Sequence, residues 1–452
     1  MNKITASAAL ALSLMGFLYS GNAAQDGALT LPEDVMPQLR PLVEAAMRQS
    51  PRMLERNLDL TLSKADAYMA RASSLPQIGG NVQYQWQRET RADAGPQGDI
   101  SSNNEKFYYN FAVNQGLWHW GALQASRKIA RIDQELAAIN YGEAYRGFAA
   151  EVRSSYMGLV LAKIAVNNAA FSRRMAEENL ARQQARYSAN QITYGQIMSE
   201  QLRLDEASLA EQRARADFEF TLASFRSFSG DSQFAESDIP DVIADVNSAP
   251  AFAASVASSA AEANDRITAA EKDVERAKLG LVAPRYALFP KLSLLAGVSR
   301  DEINRDLNAY NKYQTDTWYA GAQINWTIFD GFSSRGQKLA AYTRLRRAEQ
   351  RLTTLRESLV RDQRREEQAV TFSWQAYQNA KLRLRMAREG ADYFRELAKR
   401  GEASQEQVDS AVSNMNSLFY LAQQALAAHL SANVQYVSSR GLDPLGKPAV
   451  QH

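Results

Sequence analysis

One segment, residues 315–400, constrains the fold most, because its side-chain pattern changes from that of a strand to that of a long helix. Apolar residues alternate with small or polar ones from Thr317 to Ile328, which predicts a strand with two unlike faces. After residue 331 no proline interrupts the pattern, and apolar residues recur with seven-residue spacing at Leu345, Ala348, Leu352, Leu355 and Leu359. This predicts a helix that packs against a neighbouring helix, and about 70 helical residues would span roughly 100 Å. A compact globular domain has no room for such a helix.

Three further segments show the same alternation and are predicted to be strands. They are residues 77–87, 107–118 and 288–299, and in the first of them amide side chains and glycines occupy one face. An amide-lined face suits a water-filled lumen or solvent, whereas the opposite face suits apolar surroundings. Each predicted strand has about 12 residues, enough for the roughly 9–11 residues of a tilted membrane-spanning strand. Polar loops are predicted at 89–105 and 300–314.

The order helix, strand, loop, strand, long helix, break and returning helix occurs twice, which predicts a tandem repeat. The landmarks that pair are Arg52 to Pro76 with Arg266 to Pro290, Trp118 with Phe329, Gly195 with Gly401, and Gly230 with Gly441. The returning helix of the first half has a seven-residue seam of its own, at Leu202, Leu209, Ala216 and Ala223. We predict a signal peptide at 1–23, a first repeat at 24–229, a connector at 230–250, a second repeat at 251–441 and a C-terminal tail at 442–452.

The N-terminus predicts export from the cytoplasm. Lys3 is followed by an apolar run rich in alanine and leucine, and small residues follow at 21–24, where a signal peptidase would cut. The chain has no cysteine, so it has no disulfide framework and no thiolate metal site. Its formal net charge of +2 gives no support to nucleic-acid binding. After the N-terminus no apolar run reaches the ~20 residues of a spanning helix, so a membrane-spanning protein of this kind would be a barrel.

Four strands are too few for one chain to close a barrel, since even small barrels use about eight. An open sheet in lipid would leave unpaired edges, so the strands are expected to pair with those of other copies. A dimer would give a filled barrel of eight strands, and a trimer would give twelve strands around an open lumen. The polar strand faces favour the trimer. The predicted fold class is therefore an α+β membrane protein whose long helices continue the barrel wall.

Several aromatic residues lie toward the loop ends of the predicted strands, where an aromatic girdle would meet the edge of the bilayer. They are Trp86, Phe107, Tyr109, Trp318 and Tyr319. The alternative for each of them is ordinary packing in a core. Their common location at one end favours the girdle.

The chain lacks the residue patterns of an enzyme. Its three histidines, His119, His429 and His452, are far apart and have no ligand-like spacing. No phosphate-binding, dinucleotide-binding or nucleophile-elbow motif is present. We therefore predict that the protein is not an enzyme, binds no metal or cofactor, and depends on a partner for the energy of transport.

The order of these elements resembles the TolC family of outer-membrane channel-tunnels. The most specific matching pieces are WTIFDGFSSRGQ in the second half and Arg400-Gly401-Glu402-Ala403 before the last helix, whereas LWHWG in the first half matches more loosely. The resemblance implies a homotrimer in the outer membrane of a Gram-negative-type bacterium, with a twelve-stranded barrel on a helical tunnel. It also implies two partners, a periplasmic adaptor and an inner-membrane transporter, which together open the sealed tip.

The resemblance places this tip at the two helix breaks, Tyr194-Gly195-Gln196 and Arg400-Gly401-Glu402. The family pattern can have aspartate where this chain has Gln407, so a ring of carboxylates is not carried over directly. Glu402, Glu406 and Asp409 could supply carboxylates from adjacent turns, braced by Arg400 or Tyr194. The alternative is that all these residues are solvated helix caps.

Three classes of function fit the pattern to different degrees. A passive exit duct of an efflux pump or a type I secretion system accounts for both the strands and the helices. A periplasmic coiled-coil adaptor or scaffold accounts for the helices alone, and an uptake porin would need more strands per chain. The residues do not distinguish a protein cargo from a small toxic compound.

Overall fold

A computed structural model describes residues 29–91, 100–250, 264–307 and 309–445, so the predicted signal peptide and most of the tail lie outside the described residues. The first half contains α1 (Pro32–Val35), α2 (Leu39–Gln49), α3 (Pro51–Ala72), β1 (Gln77–Arg91), β2 (Ile100–Trp118), α4 (Ala122–Ser188) and α5 (Tyr194–Ser229). The second half contains α6 (Asp265–Leu279), α7 (Val282–Arg285), β3 (Lys291–Leu307), β4 (Ala309–Asn325), α8 (Ser333–Lys399) and α9 (Gln405–Ser439). Long helices with one small sheet confirm the predicted fold class.

The four strands form one antiparallel sheet in the order β1-β2-β3-β4, so β1 and β4 are its edges. The predicted loops were too long, because both hairpins continue to Arg91↔Ile100 and to Leu307↔Ala309. Polar cross-strand pairs extend the ladder beyond the apolar band. Arg300 Nε donates to Asp316 Oδ1 at 2.6 Å, and the Lys312 ammonium lies 2.6 Å from Glu302. Paired charges on opposite strands stabilise a ladder as apolar pairs do.

The register separates two unlike faces of the sheet. One face carries apolar side chains such as Ile78, Phe111 and Ile324, and the other carries mainly amide, hydroxyl and glycine positions. At Gly80 a Cβ would lie 2.5 Å from the Phe111 ring, so a larger residue there would require that ring to shift. At Gly297 a Cβ would lie 2.5 Å from the Tyr319 hydroxyl.

One residue of the predicted girdle lies on the wrong face. Tyr319 is opposite Gly297 on the polar face, where its hydroxyl donates to Asn110 Oδ1 at 3.1 Å. The odd-numbered residues of β4 all share this face, because strand side chains alternate. The other four residues, Trp86, Phe107, Tyr109 and Trp318, lie on the apolar face, and their role as a girdle stays a prediction.

The two faces lead to a prediction about charge. Arginine at Ala322 or Ile324, on the apolar face, should destabilise the protein by about 2–4 kcal/mol if these positions meet lipid near the midplane. Arginine at Gln323, on the polar face between them, should be nearly neutral. Urea unfolding of the protein reconstituted in bilayers measures the difference. Equal destabilisation by all three substitutions would mean that both faces of β4 are buried, which contradicts the assignment.

The long helices α4 and α8 each have 67 residues, and both ends of α8 lie 211 positions after those of α4. At ~1.5 Å per residue each helix is roughly 100 Å long. The seam predicted on α8 is correct, since Leu345, Leu352 and Leu359 are buried or half-buried, and the upper part of α8 packs on α6. Within the described helices none is both long and apolar enough to cross a membrane.

The seam predicted on α5 was wrong for packing within the chain. Leu202 and Leu209 are 59% and 47% exposed, whereas Phe218, Leu222 and Phe225 are buried against the rest of the chain. The bulkier aromatic side chains remove more apolar area from water, so they determine which face of α5 turns inward. The leucine seam is left on the outside.

A core at the middle of the long helices joins the N-terminal helices, the connector and α9. Tyr156 and Leu159 of α4 are buried there together with Ile239 and Ile243 of the connector. The connector is held by polar contacts as well, since Ile243 N donates to Gln423 Oε1 at 2.9 Å. The Tyr377 hydroxyl donates to Asp245, and burial together with this carboxylate raises the pKa of Tyr377.

A buried ion cluster lies beside this core. The Arg153 guanidinium is 1% exposed and donates to both oxygens of Glu33, at 2.7 and 3.0 Å, and to both oxygens of Asp443, at 2.5 and 2.9 Å. Arg153 belongs to α4, Glu33 to α1, and Asp443 to the segment after α9. One side chain therefore fixes the N-terminal and C-terminal ends of the described chain to the middle of a long helix.

Candidate functional site at the helix turns

The two turns that end the long helices have the same construction. Asn190 and Gly401 adopt the left-handed conformation, with φ of 57° and 76°. Three residues later Thr193 and Ser404 are helix N-caps, and their capping boxes are completed by Gln196 and Gln407. Asparagine and glycine are the residues that most readily adopt left-handed φ, which explains both positions.

This construction corrects one of the predicted landmarks. Gly401 is equivalent to Asn190 and not to Gly195. Gly401 and Asn190 each lie two positions after the end of a 67-residue helix. Gly195 lies inside the first turn of α5, and positive φ among the described glycines occurs at other positions. The sequence comparison paired two glycines, but the equivalent residue of the first turn is an asparagine.

Several predicted site residues are used by the turns themselves. Gln407 Oε1 accepts from Ser404 N at 2.8 Å, and Gln196 Oε1 accepts from Thr193 N at 2.9 Å. Gln407 therefore caps a helix in the position where the family pattern can have aspartate. Tyr194 begins α5, and its ring centroid lies 6.3 Å from that of Tyr187.

The carboxylates of α9 contact α4 and not the turn. Asp409 accepts from Arg182 and, at 3.0 Å, from Gln405 Nε2. Glu406 accepts from Gln183 Nε2 at 3.1 Å and from Arg186 Nη1 at 3.3 Å. We refer to these two ion pairs, Arg182–Asp409 and Arg186–Glu406, as the tip clasp. It joins the last turns of α4 to the first turns of α9, and so joins the two hairpins.

The bracing residues expected from the sequence differ from those that the structure shows. Arg400 and Glu402 are exposed, and within the described part of the chain their side chains make no hydrogen bond or ion pair. Arg182 and Arg186 take the bracing role instead. Their spacing of four residues puts them on one face of α4, but the sequence does not show which helix this face meets.

The two pairs of the tip clasp differ in burial. The Asp409 side chain is 10% exposed and that of Arg182 is 36% exposed, whereas Arg186 and Glu406 are 50% and 63% exposed. Exposed pairs contribute at most about 1 kcal/mol, because water and salt screen them. Removing the partner of the buried Asp409 carboxylate would cost more free energy than removing the partner of an exposed one, because the buried oxygen would be left without a hydrogen bond. The arrangement can hold two helices together.

The described residues contain no group of three or more histidine, aspartate or glutamate side chains that could hold a metal. His429 is 1% exposed, with Nδ1 lying 3.1 Å from Ser373 Oγ, and burial lowers its pKa. His119 is near Lys291, and its pKa is lowered by burial and by that charge. Both histidines are held by packing of the fold.

Comparisons with known proteins agree with this architecture. Residues 42–222 match the family profile described as outer membrane efflux protein. Comparison with curated protein sequences finds no match. Among solved structures, the fold is similar to the CmeC outer membrane channel of Campylobacter jejuni, with a TM-score of 0.73 at 14% identity over 97% of this chain and 94% of that chain.

Two further structures have the same fold. The open state of the MtrE outer membrane channel of Neisseria gonorrhoeae gives a TM-score of 0.69 at 18% identity, over 90% of this chain and 89% of that chain. The outer membrane protein VceC of Vibrio cholerae gives 0.69 at 14% identity, over 91% and 98%. The similarity covers nearly the whole of each chain, so the strands, the long helices and the turns all belong to one shared fold.

Proposed function

We propose that this chain is a member of the outer membrane efflux protein family and is the passive outer-membrane exit duct of a tripartite export system. The match over residues 42–222 and the shared fold confirm the resemblance to the TolC family of outer-membrane channels. In the proposed system an inner-membrane transporter and a periplasmic adaptor deliver the cargo. The duct itself supplies a path and no energy.

The observation that carries the proposal is that, in the single chain, the two edge strands and the helices next to them have surfaces without a packing partner. The sheet has unpaired edges at β1 and β4, which a membrane protein must pair. The helices below these edges have exposed apolar stripes. On α3 the stripe consists of Leu54, Leu58, Leu62 and Met69, and on α8 it includes Tyr342, Phe372, Leu382, Met386 and Tyr393. Leu202 and Leu209 of α5 are exposed apolar residues as well.

Two different surfaces that cover one another produce a head-to-tail contact, and repeated contacts of this kind close into a ring when the rotation permits. Three copies would give twelve strands, with the apolar sheet face toward lipid and the polar face toward the lumen. A periplasmic adaptor or scaffold would need the long helices but not this sheet, so the sheet favours the duct.

The ring proposal predicts that the purified protein is a homotrimer. The measurement is the mass of the detergent-extracted protein by native mass spectrometry. As a disruptive variant we choose L58E/L62E, which puts charges on the α3 stripe and should shift the protein to monomer. The matched control is E55Q/D59N, which changes the charge of neighbouring positions on the same helix and should remain trimeric. A stable wild-type monomer that spans the membrane would contradict the proposal.

For the closed duct we propose that the tip clasp holds the two hairpins of each copy together, so that the wall narrows at the turns. The adaptor would open the duct by moving α9 away from α4 in all three copies. The contacts of Arg182 and Arg186 with α9 carboxylates support this, because they link the hairpins at the ends farthest from the sheet.

A further inference from the structure

A groove in the upper part of the helical wall has an uncompensated positive charge. It lies between α6 and α8, has a volume of about 350 Å³, and is lined by Arg276, Arg344, Arg347, Arg351 and a single acidic residue, Asp273. Its floor is formed by small residues of the two helices, including Ala277 and Ala341, which leave room above them. Four guanidinium groups and one carboxylate give the groove a formal charge of +3.

Only one of these arginines is paired. Arg276 contacts Asp133 at 2.9 Å and Asp273 at 2.8 Å, and the hydrogen bond to Asp133 raises its pKa. Arg344, Arg347 and Arg351 make no hydrogen bond or ion pair with any described residue. By contrast, Arg346 and Arg356 on the same helix each have a carboxylate within 4 Å, at 3.9 and 2.6 Å. Arg361 and Arg364 of the same helix also lack a partner among the described residues, so the groove is distinguished by the three unpaired arginines that line one concave surface.

The spacing of the three unpaired arginines puts them on one face of α8. Positions 344, 347 and 351 differ by three and four residues, so their side chains follow one another along the helix. Tyr342, on the proposed contact surface between copies, precedes Arg351 by nine residues, or about 2.5 helical turns. Arg351 and Tyr342 therefore lie on opposite sides of α8.

We propose that this groove binds a soluble anion with a phosphate-type group or several carboxylates. Guanidinium groups match such oxygens in geometry and charge. The position of the groove argues against a lipid headgroup. Arg344 and Arg351 lie about 16 and 27 Å along α8 from Ser333, whereas the polar layer of a bilayer is only about 5–8 Å deep on each side. The anion therefore comes from the aqueous side of the wall.

The test uses inorganic pyrophosphate as the probe and the full-length protein in neutral detergent at low salt. Isothermal titration calorimetry should show one saturable site per chain in the wild type. The variant R344Q/R347Q should weaken binding by about tenfold or more, because two charge-assisted hydrogen bonds are lost. The single variant R351Q should weaken it less, and unchanged melting temperatures would show that all these variants fold.

The matched control is R346Q/R361Q, which removes the same charge from the same helix outside the groove and should bind as the wild type does. If both double variants lost the same affinity for pyrophosphate, the binding would be due to general surface charge, and the proposed site would be wrong. Absence of saturable wild-type binding would also overturn it. Competition by phosphatidylglycerol added to the detergent would overturn the assignment to a soluble anion. Because the groove lies within one chain, these outcomes are independent of whether the proposed trimer forms.

Discussion

Replacing Arg153 by leucine should destabilise the folded protein by roughly 3–5 kcal/mol, the usual effect of removing one partner of a buried ion pair. The substitution would leave the carboxylates of Glu33 and Asp443 facing each other, with exposures of 8% and 3%. Neither would have a cation, and each would lose two hydrogen bonds from the guanidinium. The measurement is the urea midpoint of the detergent-solubilised protein, followed by tryptophan fluorescence.

Two variants test whether buried charge is the cause. R153L/E33Q/D443N removes the whole ion cluster and should recover much of the loss, because no unpaired buried charge remains. Arg52→Leu removes the arginine of an exposed pair, Arg52–Glu151, whose side chains are 54% and 47% exposed, and should cost less than about 1 kcal/mol. If R153L and R52L shift the midpoint equally, the cluster does not stabilise the fold in the proposed way.

Neutralising both carboxylates of the tip clasp, in E406Q/D409N, should open the duct. If the clasp contributes about 1 kcal/mol in each copy after solvent screening, three copies contribute about 3 kcal/mol. Such a change lowers the ratio of closed to open channels by roughly a hundredfold. Single-channel recordings in planar bilayers should show higher conductance and longer open times than the wild type.

The control for the tip clasp is Glu402→Gln. Like the clasp carboxylates, Glu402 lies near the turn, but its side chain makes no hydrogen bond or ion pair among the described residues. The conductance of the Glu402→Gln channel should therefore equal that of the wild type. A reverse-charge variant, R182D/D409R, restores the pair and should return conductance toward the wild-type value. Wild-type conductance in E406Q/D409N, with normal trimer levels, would show that the clasp does not close the duct.

Local features of the fold were predictable because each depends on neighbouring residues. Alternation along residues 317–328 identified a strand whose helical continuation has 67 residues. Seven-residue spacing found the correct seam on α8, and the breaks at residues 189–193 and 400–404 were located within a few positions. Periodicity of this kind is set by the backbone geometry of one segment, so one segment is enough to infer it.

Other features depend on which distant segments meet, and only the tertiary structure decides that. The polar residues at 89–105 and 300–314 gave no apolar alternation, yet most of them pair across hairpins, because opposite strands supply partners for their charges. On α5 two apolar stripes competed, and the aromatic one turned inward against α4. In each case the deciding contact lies on another strand or helix.

The sites show the same division most clearly. Helical spacing alone puts Arg182 and Arg186 on one face of α4, but their partners on α9 lie more than 200 residues along the chain. Arg153 likewise joins residues 120 and 290 positions away. Local spacing predicts which face of its own helix a side chain lies on. The rotation of that helix in the assembled wall determines what the side chain meets, because packing over the whole length of the helix sets this rotation.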